Sequence, residues 1–218
     1  GADGHRETGG FLPPVDLPRR MWAGGTLRFQ RPLHIGERIT RHSRIEDVVE
    51  KDGGTSRMVF VTVAHEIAGE DGTALTERQD IVYLPMPKAF VAPKAKPVPE
   101  APDLDMVVEM SAPLLFRYSA CTFNAHRIHY DLPYAQEVEK YPGLVVHGPL
   151  QATLLMQMAC NWRGRTPDAF SFRGVSPMFH DHPLRLVATI EENGLALCTA
   201  KQNERVGMQA RATWEEVA

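Results

Sequence analysis

Residues Phe116–Gln151 read FRYSACTFNAHRIHYDLPYAQEVEKYPGLVVHGPLQ, and the run that continues to Trp162 carries no charge. Asn124, His126, Arg127, His129 and Asp131 fall within eight residues. A glycine-bearing turn, Pro142-Gly143, then leads to His147-Gly148-Pro149. Proline at a first helical position predicts a helix start there, with the helix over Val146–Trp162. Leu150, Ala152, Leu154, Leu155, Met156 and Met158 leave it almost no polar face, so burial on all sides is expected. A helix buried in that way needs a layer that wraps it. Polar groups able to move protons followed at once by a helix N-terminus, whose free N–H groups can hold a developing oxyanion, are the parts needed to work on an activated carbonyl.

The rest of the chain supplies the wrap. Residues 1–20 are rich in Gly, Pro and charge and read as an irregular arm. From Met21 to Leu84 the pattern is a long-stranded antiparallel meander. Its strands are expected at Thr26–Arg31, Arg38–Glu50, Arg57–Ala68 and Thr73–Leu84, with turns at Lys51–Gly54 and Glu70–Gly72. Pro85–Asp103 holds six prolines and reads as an extended linker. Beyond it a short strand is expected near Met106–Met110, a helix at Pro113–Cys121 and a short helix at Asp131–Glu139. Four strands follow, at Ala169–Met178, Leu184–Glu192, Ala196–Asn203 and Gly207–Glu215, with Asn193-Gly194 as a hairpin turn. Three segments result: a first lobe (1–84), a linker (85–103) and a second lobe (104–218). Pro32-Leu33-His34 precedes a strand of the first lobe much as Met178-Phe179-His180 does in the second. By that echo the first lobe's helix would fall at or before residue 1, so the first lobe is expected without a complete helix. The expected fold class is α+β, a double hot-dog in which antiparallel sheets wrap one buried helix and cover each other.

Composition narrows the function. A formal charge of -3 gives no electrostatic reason to expect nucleic acid or an anionic membrane as partner. Cys121, Cys160 and Cys198 are far apart and odd in number; they form neither metal spacing nor a disulfide framework, which points to a reducing compartment. No apolar run reaches the length of a membrane span. A cytoplasmic location is expected, or a mitochondrial matrix for a eukaryotic protein, and a removed targeting peptide stays open because the first residue is not methionine. His180-Asp181-His182 offers adjacent groups that point to opposite faces of a strand, so no metal is expected.

The segment Ala120–Leu155 resembles the MaoC-like, R-specific enoyl-CoA hydratases. Asn124-Ala125-His126-Arg127-Ile128-His129, Asp131-Leu132-Pro133-Tyr134 and Val146-His147-Gly148 stand at that family's motif positions. TFNAHRIHYD, HGPL and FRGVSP at Phe172–Pro177 resemble the branch of type 2 hydroxyacyl-thioester dehydratases and mesaconyl-C4-CoA hydratases. The resemblance implies a hydro-lyase, with acyl-CoA or acyl-carrier-protein thioesters as partners and no cofactor beyond the coenzyme A or phosphopantetheine of the substrate. It implies His129 as general base, Asn124 as the group that positions water, and the Gly148 N–H as donor to the thioester oxygen. The wider family has an aspartate where this chain has Asn124. An amide cannot exchange a proton at neutral pH but can hold a water, so more of the proton chemistry falls to His129. His126, Arg127, Val146 and His147 are candidate substrate contacts, each with a structural reading beside it: Arg127 can pair with Asp131, and His147 can simply pack. Arg173 is a candidate anchor for a substrate carboxylate, or a surface arginine. A homodimer is left open.

Three other functions compete. A hot-dog thioesterase would hydrolyse the same thioesters, and a non-catalytic lobe would bind them without turnover. A β-rich interaction module would leave the charge-free helix after a histidine cluster unexplained.

Overall fold

The computed structural model describes residues 1–52 and 57–215. Among the described residues nine strands form one antiparallel sheet: β1 (Arg19–Phe29), β2 (Thr40–Asp52), β3 (Arg57–Gly69), β4 (Gly72–Leu84), β5 (Leu104–Val108), β6 (Ala169–Gly174), β7 (Leu184–Glu191), β8 (Gly194–Lys201) and β9 (Arg205–Thr213). Their order is β2-β3-β4-β1-β6-β9-β8-β7-β5. The helices are α1 (Ala112–Thr122), α2 (Leu132–Glu137) and α3 (Gly148–Arg163), with a 3-10 turn at Arg127–His129. Four strands come from the first lobe and five from the second, and β1 joins them by pairing with both β4 and β6. This is the expected double hot-dog, with its two sheets merged into one. Among the described residues no helix precedes α1. Of the expected turn at Lys51–Gly54, Lys51 and Asp52 end β2, and Gly53 and Gly54 lie outside the described residues.

β1 begins at Arg19, seven residues before the expected Thr26. The alternation that marks a strand is blurred there by Gly24-Gly25 and by a bulge between Trp22 and Gly24. The glycine is required by close approach: a Cβ on Gly24 would lie 2.6 Å from the Phe172 carbonyl oxygen of β6.

The core lies between α3 and the concave face of the sheet. Leu150, Leu155, Met158 and Ala159 pack against Phe170, Phe172, Leu186, Leu195, Leu197 and Ala212. Burial of α3 on all sides is not what forms. Thr153, Gln157 and Asn161 make an exposed stripe at the i, i+4, i+8 spacing of one helical face. Their three uncharged polar side chains are spaced widely enough along the sequence to be overlooked in an apolar run. The first turn of α3 is pinned to the sheet: the Thr199 hydroxyl donates to Gln151 Oε1 at 2.6 Å and accepts from Met208 N at 2.9 Å.

In the first lobe, Val59, Val61, Val63, Ile81 and Tyr83 of the concave face are covered by Leu12, Val15 and Leu17 of the arm. Residues 85–103 hold no helix or strand yet are tied down. Phe90 packs between Tyr141 and Phe179, Val98 lies on Val187, Cys198 and Val206, and the Lys96 carbonyl accepts from Val206 N at 3.2 Å.

Candidate active site

α1 starts at Ser111, whose side chain caps Leu114 N, and ends at Phe123, which takes the left-handed conformation at φ 53°. That turn throws Asn124 off the helix. The Asn124 Oδ1 then accepts from His126 N at 3.2 Å, a local turn that asparagine favours. Because a backbone N–H can only donate, the oxygen of the Asn124 amide is the engaged end, and its NH2 is the end left to bind elsewhere.

His129 is buried, with 6% of its surface exposed. Its Nδ1 lies 2.7 Å from the Val145 carbonyl. A carbonyl only accepts, so Nδ1 carries the proton, and Nε2, which makes no hydrogen bond among the described residues, keeps a lone pair. Burial first, and the neighbouring His147 second, hold its pKa well below the ordinary histidine value of 6.5, so the ring is neutral at pH 7. Its ring stacks on His147 at 3.7 Å between centroids and 18° between planes. His147 has no exposed surface, is hydrogen-bonded through Nε2 to Ser119 Oγ at 2.8 Å, and is held neutral by burial, which lowers its pKa to about 4. His147 is also the residue that precedes α3, and no side chain caps that helix. Gly148 is its first residue, its N–H makes no hydrogen bond among the described residues, and Pro149 has no N–H to offer. The stack therefore places a proton acceptor beside a bare helix N-terminus.

The remaining candidates are engaged with protein partners. His126, 4% exposed, donates through Nε2 to Glu139 Oε1 at 2.7 Å. Arg127 binds Asp131 Oδ2 at 2.8 and 2.9 Å, donates to the Ala2 carbonyl and lies over the Tyr134 ring. Val146 is 1% exposed and donates to the Met178 carbonyl at 2.8 Å. These three shape the loop; contact with substrate is not their evident work. Arg173 stands apart from these. Its neighbour Phe172 enters the core beside α3, so Arg173 points from the other face of β6, where it lines a shallow depression with Thr26, Asp80, Gln209 and Arg211. The structure does not bring it to His129.

Several site residues were missed in the sequence. Glu139 is 1% exposed, and its other oxygen accepts from Arg19 Nε of β1 at 3.1 Å. Ser119, Asp3 and His5 also reach the cluster. The His5 ring lies 4.2 Å from that of His126, and Arg127 N donates to the Asp3 carbonyl at 2.9 Å. Asp3 and His5 arrive through tertiary contact from the distant arm, and Ser119 and Glu139, though inside the opening stretch, are marked by no spacing that sets them apart from its other polar residues. Asp3, His5 and His126 offer ligand atoms that all lie within 4.8 Å of one another. His5 Nδ1 and Asp3 Oδ2 are bonded to each other at 2.8 Å, and the group reads as a hydrogen-bonded wall.

The family profile described as hydroxyacyl-thioester dehydratase type 2 matches residues 1–180. The chain is 48% identical over 190 residues to a protein named mesaconyl-C(4)-CoA hydratase from Chloroflexus aurantiacus, covering 86% of this chain and 67% of that one. It is 30% identical over 210 residues to a mitochondrial hydroxyacyl-thioester dehydratase type 2 from Schizosaccharomyces pombe, covering 83% and 67%. Among solved structures, HtdX from Mycobacterium tuberculosis superposes with a TM-score of 0.73 at 17% identity, over 90% of this chain and 77% of that one.

Proposed function

The chain belongs to the hydroxyacyl-thioester dehydratase type 2 family, and from that membership we infer that it is a lyase that moves water on and off an acyl thioester. The observation that carries the mechanism is the neutral His129, fixed through Nδ1 and stacked on the residue that opens α3. In the hydration direction His129 Nε2 takes a proton from water as the oxygen bonds to the β-carbon of the enoyl thioester. The electron pair moves through the α-carbon onto the thioester oxygen, where the Gly148 N–H stabilises it. The same imidazolium then gives its proton to the α-carbon, so the net change is addition of H and OH. Dehydration runs the steps in reverse. Asn124 steadies the water through its NH2, because its oxygen is bonded to His126 N.

The relative at 48% identity supports a branched dicarboxylic substrate of the mesaconyl-C4-CoA kind. Coenzyme A or a phosphopantetheine arm is the handle. Addition of water changes no net oxidation state, and the thioester itself acidifies the α-carbon, so the reading needs neither metal nor redox cofactor. The free thiols of Cys121, Cys160 and Cys198 suit a reducing compartment.

A panel of enoyl-CoAs that includes mesaconyl-C4-CoA and crotonyl-CoA tests the proposal. Loss of the conjugated-thioester absorbance without release of free thiol is expected, and fastest with the dicarboxylic substrate. Thiol release at the rate of absorbance loss would make the protein a thioesterase, and tight binding without either change would make it a binding lobe.

A further inference from the structure

Glu139 is an acid with almost no exposed surface, two residues beyond the end of a short helix, and the mechanism above does not use it. Both of its oxygens are taken: His126 Nε2 at 2.7 Å on one, Arg19 Nε at 3.1 Å on the other. Arg19 is itself held by the Tyr141 hydroxyl and lies against the Tyr141 ring, 4.9 Å from its centroid. Arg19 sits on β1 of the first lobe, paired with Leu84 of β4, whereas Glu139, His126 and Tyr141 belong to the second. From His126 the contacts continue to Asn124, through the backbone N–H of His126, and to His129, whose ring meets that of His126 edge-on at 5.6 Å. An unbroken series of bonds thus runs from the first lobe to the residue that holds water.

We propose that Glu139, clamped by Arg19, is a positioning residue for the reaction. By anchoring His126 it keeps the Asn124 oxygen bonded to the loop and its NH2 turned toward the water. Without that anchor the loop turn relaxes, and the amide is free to present either end. A buried ion pair kept only for stability would leave Asn124 independent of Glu139; a positioning role couples them.

The inference rests on the reading of Asn124 as the water-positioning group, and a double-mutant cycle in kcat and KM separates the two. The proteins are the parent, Glu139→Gln, Asn124→Ala and the double variant, assayed with the best enoyl-CoA of the panel, with thermal melts as the check of folding. Glu139→Gln should lower kcat by about tenfold while KM stays within about threefold, and adding Asn124→Ala to it should cost no more than about threefold further. Arg19→Lys, which keeps the charge and shortens the fork, goes through the same cycle and stands in if Glu139→Gln does not fold. It should retain more activity than Glu139→Gln and show the same coupling. Parental kcat in Glu139→Gln, or losses that multiply in the double variants, would overturn the inference and leave the reading of Asn124 in place. No loss in Asn124→Ala alone would overturn both.

Discussion

His129 has one ring nitrogen held by Val145 and the other left as a lone pair. Its removal should therefore cost the reaction its base. His129→Ala is expected to lose about 10²–10⁴-fold in kcat, measured as enoyl absorbance under saturating substrate. Asn124→Ala removes one neutral hydrogen bond and should cost less, about 1–2 kcal/mol of transition-state stabilisation. Asn124→Asp is expected to add a second ionisation to the pH profile, since two coupled groups then titrate. The parent should show one acidic limb. His129 must be neutral to accept a proton, and burial holds its pKa well below 6.5. Hydration should therefore persist below pH 6.5 and fall only under that depressed value. Stability moves with the same groups. His147 and His5 each have a folded pKa of about 4, burial being the largest cause for both. Between about pH 4 and 6.5 the unfolded chain binds more protons than the folded one, so stability drops as pH falls through that window. The loss is on the order of a few kcal/mol, and urea melts at a series of pH values would measure it.

At the scale of elements, α3 carries the largest share of the second lobe's core. Leu155 has no exposed surface, and Leu155→Ala should cost about 2–5 kcal/mol. Gln157, on the exposed stripe, should tolerate Ala within about 0.5 kcal/mol. Chemical denaturation of both variants checks the contrast. The same helix shows what the sequence could and could not yield. Its existence was legible, and its start at Gly148 to within two residues of the expected Val146, because Gly148-Pro149 and a charge-free run leave little else for those residues to form. Its polar stripe was not, since Thr153, Gln157 and Asn161 interrupt an apolar run without breaking it. The loop of Asn124 and His129 was legible as a dense polar motif. Its supports were not: Arg19 lies 120 positions from Glu139, and one chain read alone carries no sign of that pairing. The face that Arg173 joins was not legible either. A motif fixes which residues are near in sequence, but the period-2 alternation of β6 decides which face each one joins.

At the scale of the whole molecule, the two lobes meet where β1 pairs with β6, from Gly24↔Arg173 to Arg28↔Ala169. Gly24→Val would push a side chain against the Phe172 carbonyl, which a Cβ already reaches at 2.6 Å. It should destabilise the entire protein by about 1–3 kcal/mol, and far-UV and near-UV signals should be lost together on melting. Separate transitions for the two lobes would show that the seam is weaker than its geometry implies. A seam of this kind also governs traffic. Jaws hinged on a flexible strap can gape to admit a bulky thioester, but a hydrogen-bonded ladder cannot fold along its length without tearing rungs. Opening for substrate is then expected at the fringe of the molecule, away from the seam, while the sheet stays whole. Amide exchange should reveal that division of labour: quick at the fringe, slow across the seam, and little altered there when a CoA ester is bound.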